Sequence, residues 1–274
     1  MPYDLGAQVP LGTTVKDSAG ALVNAGAMAL TITLPDATTV TVSPVAPSST
    51  GTYAYDYPTV QAGRHAVRWV ATGANAGAYT DVFDVRPAEP PLLFSLASAK
   101  AQLDLTTTTD DDELREYIAA TTKAVEFFVG AVARRTVTQV VRGGTDRVVL
   151  DTTPVLAVTS MTALGVWQEV VPLGALNVAD AESGVLRRTD GWWFAQHEYH
   201  VEYTVGRTAV PPNVSLAAKM ILQHLWRTQY GAARGMVGGG DDFSVTEPIP
   251  GLGYSIPNRA LQLLQGDRLP GGIA

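Results

Sequence analysis

Histidine beside carboxylate is the pairing most often used to bind metal or move protons, and this sequence offers it first at His197, Glu198 and His200. The zinc-protease pattern needs two histidines four apart on one helical face. Here they stand three apart beside Tyr199 to Val205, a stretch of strand-like alternation that sends them to opposite faces. They are not read as a metal pair. Asp110, Asp111, Asp112 and Glu113 form a denser acidic cluster. They lack the alternating oxygen ligands and the glycine of a calcium loop, and read instead as carboxylates favoured at a helix start. Gly235 to Gly240 has neither the preceding strand, the following helix nor the lysine of a phosphate cradle. No G-x-S-x-G elbow accompanies a histidine and a carboxylate in order. Trp192 and Trp193 would suit a sugar-stacking platform, but adjacent residues in a strand or turn face opposite ways, so at least one is expected in the core. His65 falls on the apolar side of a strand and reads as a packed residue. No catalytic residue, metal site or cofactor is expected, and the chain does not read as an enzyme.

Composition narrows the classes further. The 274 residues are 46% apolar, enough for two domains, and no apolar run approaches a membrane span. Cysteine is absent, which removes disulfides and thiolate metal sites. The net charge of −7 is unsuited to gripping nucleic acid, and arginine is paired only at Arg134-Arg135 and Arg187-Arg188. Met1 to Gly12 has neither a basic start nor a continuous apolar stretch, so a cytoplasmic origin is expected.

The elements that would hold any site fall into two groups, and the first is a set of strands. Residues 1–88 show no helical period but several short alternating segments, predicting an all-β sandwich. Leu30, Ile32 and Leu34 turn through Pro35-Asp36-Ala37 into Val40 and Val42 as a hairpin. Tyr53, Tyr55 and Tyr57 share a face. His65, Val67 and Trp69 share another, with Trp69 as core anchor, and Phe83 and Val85 close the set. Arg86 to Pro91 is a proline-rich joint, where the domain boundary is placed. This first pattern resembles the immunoglobulin-like or fibronectin-like modules of bacterial and phage structural proteins.

Beyond the joint the period changes. Ser95 caps a short helix over Leu96 to Leu103, and Asp110 with Glu113 fits a capping box that opens a longer one. Leu114, Tyr117, Ile118, Thr121, Val125 and Phe128 form its apolar stripe, and Gly130 stops it. Strands are predicted at 136–142, 147–150, 155–163, 169–171, 185–189 and 199–205. Pro211-Pro212-Asn213 then announces a helix, capped by Asn213 or Ser215, whose stripe is Val214, Ala218, Ile221, Leu222, Leu225 and Trp226. Ile118, Val125, Ile221, Leu225 and Trp226 are the expected shared core. Residues 231–253 are glycine-rich and read as a flexible arm, after which Ile256 to Leu264 recovers a brief helix. The fold class is multidomain: the sandwich, then an α+β domain over 92–274 with two long core helices and a flexible C-terminal arm over 231–274.

The order of Ser95-Leu96-Ala97-Ser98-Ala99-Lys100-Ala101-Gln102-Leu103, an acidic turn, the Leu114 to Gly130 helix, a strand-rich middle, and Pro211-Pro212-Asn213-Val214 opening a helix through His224 and Trp226 resembles the head-to-tail adaptor (connector) family of long-tailed double-stranded DNA phages. The resemblance covers about residues 92–270. It implies a structural virion protein of the phage neck, assembled in the host cytoplasm, forming a twelve-subunit ring that joins the portal to the stopper or tail-completion protein. DNA would pass through without sequence-specific binding, which an acidic chain favours. It also implies a portal-docking arm, assigned to Ile256, Leu261, Leu263 and Leu264. Subunit contacts are expected on the polar helix faces at Asp112, Arg115, Glu116, Lys123 and Arg227, with the sandwich on the outer circumference and able to meet the capsid. No membrane contact is expected. The strand-rich middle and the added sandwich depart from the family's usual pattern. The alternative from another class is a surface or glycan-binding immunoglobulin-like module.

Overall fold

A computed structural model describes residues 2–165, 169–230 and 256–269, in two compact units, Met1–Pro90 and Pro91–Ala274. The first unit is all strand: β1 Tyr3–Asp4, β2 Gln8–Thr14, β3 Ala27–Thr33, β4 Thr39–Val42, β5 Pro47–Ser49, β6 Thr52–Pro58, β7 Gly63–Thr72 and β8 Gly77–Arg86. One sheet runs β1-β8-β7-β3-β4 and the other β2-β6-β5. Period-2 patterning builds the layer between them. Met28, Leu30 and Ile32 of β3 and Val67, Trp69 and Ala71 of β7 point inward together with Tyr53 and Tyr57 of β6. Trp69 is 1% exposed, as a core anchor should be. Tyr53 stays buried because its hydroxyl accepts from Ala25 N at 2.9 Å. His65 is also interior: its ring stacks on Phe83 with centroids 4.8 Å apart, and Nδ1 lies 3.2 Å from the Gly63 carbonyl oxygen. The predicted hairpin pairs Leu30 with Val42. Gly51, at φ +69°, turns β5 into β6 where a Cβ would meet Val23 N at 2.7 Å.

The second unit opens with α1 Leu96–Leu103 and α2 Asp111–Val129. Ser95 caps α1 as predicted, its Oγ accepting from Ser98 N at 3.2 Å. The second cap is different. Asp110 makes no side-chain cap bond; instead Lys100 reaches across the turn to Asp111 Oδ1 at 2.6 Å and to the Thr107 carbonyl oxygen, so the acidic run ties two helices together. At the far end of α2, Glu126 accepts from Val132 N at 3.0 Å and from Arg135 Nη1 at 2.6 Å, fixing the exit past Gly130.

Strands follow: β9 Arg135–Arg142, β10 Arg147–Val149, β11 Val155–Ala163, β12 Leu176–Asp180, β13 Val185–Arg188 and β14 Glu198–Val205. They make two three-stranded sheets, β11-β14-β9 and β10-β13-β12. Tyr199, Val201, Tyr203 and Val205 of β14 are completely buried and share a core with Met161, Leu186 and Phe194. The segment 169–171, expected as a strand, supplies only a bridge at Val170 to Thr162, while β12 was not anticipated.

Two further helices follow among the described residues, α3 Pro212–Tyr230 and α4 Asn258–Leu264. Val125, Val129, Val214, Ala217, Ala218 and Ile221 pack with Ile256, Ala260 and Leu264 of the α4 segment. Ile118, Leu222 and Trp226 form a neighbouring cluster with Ala99 of α1. Leu225 is only partly buried, and Leu222 takes the interior place. Asn213 is not the cap of α3. It lies inside the first turn, and its side-chain nitrogen donates to the Leu263 carbonyl oxygen at 2.8 Å and to Asp267 Oδ2 at 2.6 Å. Among the described residues no helix is long and apolar enough to cross a membrane.

Candidate functional site

The side chains first weighed for chemistry do not converge. His197 precedes β14, and Glu198 and His200 are exposed on the face opposite buried Tyr199. Among the described residues no group of three His, Asp or Glu could hold a metal ion. Burial holds the His224 imidazole below its ordinary value, on the core helix α3. The tryptophan expectation is overturned: Trp192 is 71% and Trp193 70% exposed. They sit in a loop rather than a strand, so alternation does not apply. Arg188 clamps that loop by a bidentate bond to Asp190, which draws the Asp190 carboxyl below its usual value, while Trp192 N donates to Asp190 Oδ1 at 3.2 Å.

What the unit does present is contact surface. On the polar side of α2, Arg115 donates to Asp112 Oδ1 at 2.9 Å, an i,i+3 pair on half-exposed side chains. Glu116 and Lys123 are exposed on the same helix, as is Arg227 on α3. Phe127, next to Lys123 on the outer side of α2, is 65% exposed, and its ring meets Phe128 edge-on at 5.2 Å.

The residues assigned to a docking arm divide. Ile256 and Leu264 are each 1% exposed and belong to the core with α2 and α3, so neither is available to a partner. Leu261 and Leu263 pack partly against that core. The reason is a polar clamp behind the helix. Arg207 donates to Asp267 Oδ1 at 3.2 Å and to the Val129 carbonyl oxygen at 3.1 Å, and Asn213 holds Asp267 from the other side. The clamp seats α4 on its own domain. Sequence reading missed Arg207 and Asp267, which lie 60 residues apart and carry no local signature. Residues 231–255, the rest of the expected arm, lie outside the described residues. Between α2 and α4 runs a groove of about 340 Å3 lined by Phe128, Leu261 and Leu264 and by the polar side chains of Asn258, Gln262, Gln265 and Arg268.

Sequence and fold comparisons bear on what these surfaces are for. A family model described as head completion protein (HCP) matches residues 92–256. No curated protein sequence matches. Among solved structures, a chain from the neck of an empty GTA particle, computed with C6 symmetry, is 20% identical, with 66% of this chain and 94% of that one covered at a TM-score of 0.46. A chain from the neck of a native GTA particle with C12 symmetry is 17% identical, covering 65% and 92% at 0.45. The Lin-41 filamin domain is 19% identical over 31% of this chain and 82% of its own, at 0.27. At these TM-scores the likenesses establish no shared architecture. The family model is different in kind, because it spans more than half of the chain and covers the same helix-strand-helix order that resembles the adaptors: the chain belongs to the head completion protein family, whose members are structural phage-neck proteins rather than enzymes.

Proposed function

We propose that this structural neck protein assembles as a ring, of twelve subunits, joining the portal to the stopper or tail-completion protein and letting DNA slide through. The family match over residues 92–256 carries the reading. The net charge of −7 supports the channel role, since a basic lumen would hold phosphates. Subunit contacts lie along the polar helix faces at Asp112, Arg115, Glu116, Lys123 and Arg227, where ion pairs fix register more than affinity. Portal contact falls to the open side of the α2–α4 groove at Phe128 and Leu261, with exposed Phe127 and partly buried Leu263 outside the groove, rather than to the buried side chains of Ile256 and Leu264. The first unit is an immunoglobulin-like domain, 1–88, on the outer circumference, where it can meet the capsid. Its parallel pairing of the first strand with the last, β1 with β8, and the β1-β8-β7-β3-β4 order support that assignment. The test is to measure the mass of the purified protein alone and with portal, and to image the particles. Rings on portal are expected; a chain that stays monomeric with portal present refutes the reading. The exposed pair Trp192 and Trp193 favours a second reading, a glycan-binding surface. Oligosaccharide binding that quenches tryptophan fluorescence and is lost in Trp192→Ala would support it.

A further inference from the structure

Sheet edges recruit further chain, because an edge leaves half of its backbone N–H and C=O groups without ladder partners. Nearly every sheet edge among the described residues is protected. In the first unit β1, β4 and β5 are two, four and three residues long, and β2 carries Pro10. In the second, β10 has three residues and β12 shifts register between Val178 and Asp180. β11 shifts register twice, and its end is covered by the 169–171 segment through Ala163 N to Glu169 O and Val171 N to Met161 O.

β9 has none of these protections. Its eight residues pair with β14 in one unbroken register, without proline or glycine, and are mostly valine and threonine. Among the described residues, no backbone group of residues 136–142 bonds to backbone outside β14. The outward row is Thr136, Thr138, Val140 and Arg142, all exposed, with Val140 at 53%; exposed Arg134 stands just before the strand. Such an edge is built to be extended. Two copies of β9 do not suit one another, since antiparallel pairing sets Arg134 of one against Arg142 of the other, like charges face to face. The fitting strand carries carboxylates at both ends and apolar residues between.

We propose that this strand is Asp241–Glu247 of a neighbouring copy. Asp-Asp-Phe-Ser-Val-Thr-Glu alternates with period 2, is acidic at both ends, and is bounded by Gly240 and Pro248. Laid antiparallel, Asp241 opposes Arg142, Phe243 covers Val140, Val245 opposes Thr138, and Glu247 opposes Thr136, one diagonal from Arg134. Eleven residue steps lead from Tyr230 to Asp241 and nine from Glu247 back to Ile256, so the returning leg sets the reach of the exchange at about 30 Å. An edge on each copy and a strand on the next form a heterologous contact, the kind that closes into a ring. The inference therefore deepens the ring reading and rests on it.

The chain has no cysteine, so introduced thiols report only on each other. Thr138→Cys and Val245→Cys chains are purified separately, mixed under ring-forming conditions and mildly oxidised. A covalent two-chain species is expected to form about tenfold faster than with Ser244→Cys, whose side chain leaves the opposite face, beyond disulfide geometry. Arg142→Asp should suppress the species and Asp241→Arg on the other chain should restore it. Equal rates at 244 and 245 overturn the proposal. So does a disulfide confined to the double variant within one chain, which would mean the strand pairs at home. Imaging the same samples separates the two readings: rings without the crosslink sink this inference alone, whereas open crosslinked chains sustain it and refute the ring.

Discussion

Removing everything after Tyr230 should unfold the second unit or bring it close to unfolding. The deletion takes away Ile256 and Leu264, each 1% exposed, and Ala260, which is completely buried. Burial of the two large side chains is worth about 1.5 to 3 kcal/mol each, so about 3 to 6 kcal/mol disappears before the clamp is counted. Loss of Asp267 then leaves Arg207 and Asn213, both largely sheltered, without the carboxylate they share. A domain of ordinary stability has about 5 to 15 kcal/mol in total. The truncation therefore removes from about a fifth of that margin to all of it, before the clamp is added. Urea unfolding followed by fluorescence checks it, in a Trp69→Phe background that leaves no tryptophan in the first unit. The point variant Leu264→Ala, expected to lose about 2 to 5 kcal/mol, keeps the measurement readable if the truncation does not fold. An unchanged midpoint for both would mean that α4 does not seat on α2 and α3, and would return Ile256 and Leu264 to the role of free docking residues.

Leu222→Ala should cost about 2 to 5 kcal/mol and Leu225→Ala markedly less, because only Leu222 is fully interior; equal losses in urea unfolding would contradict that difference in burial. In the first unit Trp69→Ala should cost about 3 to 5 kcal/mol, and residues 1–90 expressed alone should unfold cooperatively; a non-cooperative melt would refute an independent core. His224 gives a pH signature. Burial lowers its folded value, so the unfolded chain binds the extra proton: this contribution to stability is complete above the unfolded value of 6.5 and declines as pH falls below it. His224→Gln should flatten the difference in urea midpoint between pH 7.5 and pH 5, and an identical slope in both proteins would rule the linkage out.

Much of the fold was legible because its signals are local. The alternation in β3, β7 and β14 places Trp69 and Tyr203 inside without knowledge of the partner strand, and the Ser95 cap needs only the residue three positions on. β2 was hidden because Pro10 and Gly12 interrupt its alternation, and β1 and β5 because two or three residues carry no period. Trp192 and Trp193 were misplaced for a related reason. Their exposure is fixed by a loop that Arg188 and Asp190 hold, not by strand geometry.

The placement of α4 is the more instructive case, since its residues read correctly as apolar and helical, yet nothing local in them decides between their own domain and a partner as the surface that receives them. Ala217 and Ala218 on α3 are both completely buried, and their small side chains let the α4 backbone approach where a leucine would hold it away. A stripe that includes two alanines flanked by Val214 and Ile221 is therefore a receptor as much as a core face. The same logic explains why Asn213, a cap by local grammar, became a clamp: its side chain gains two fixed acceptors, the Leu263 carbonyl and the Asp267 carboxylate, once α4 lies against α3. If that ordering of cause is right, placing bulk at the receptor should release α4 without touching it. Ala217→Leu should raise amide exchange across Asn258–Leu264 and expose Ile256 to proteolysis while α2 stays protected. An α4 that remains protected in Ala217→Leu would show that the Arg207–Asp267 clamp, rather than close helix approach, decides where the C-terminal segment goes.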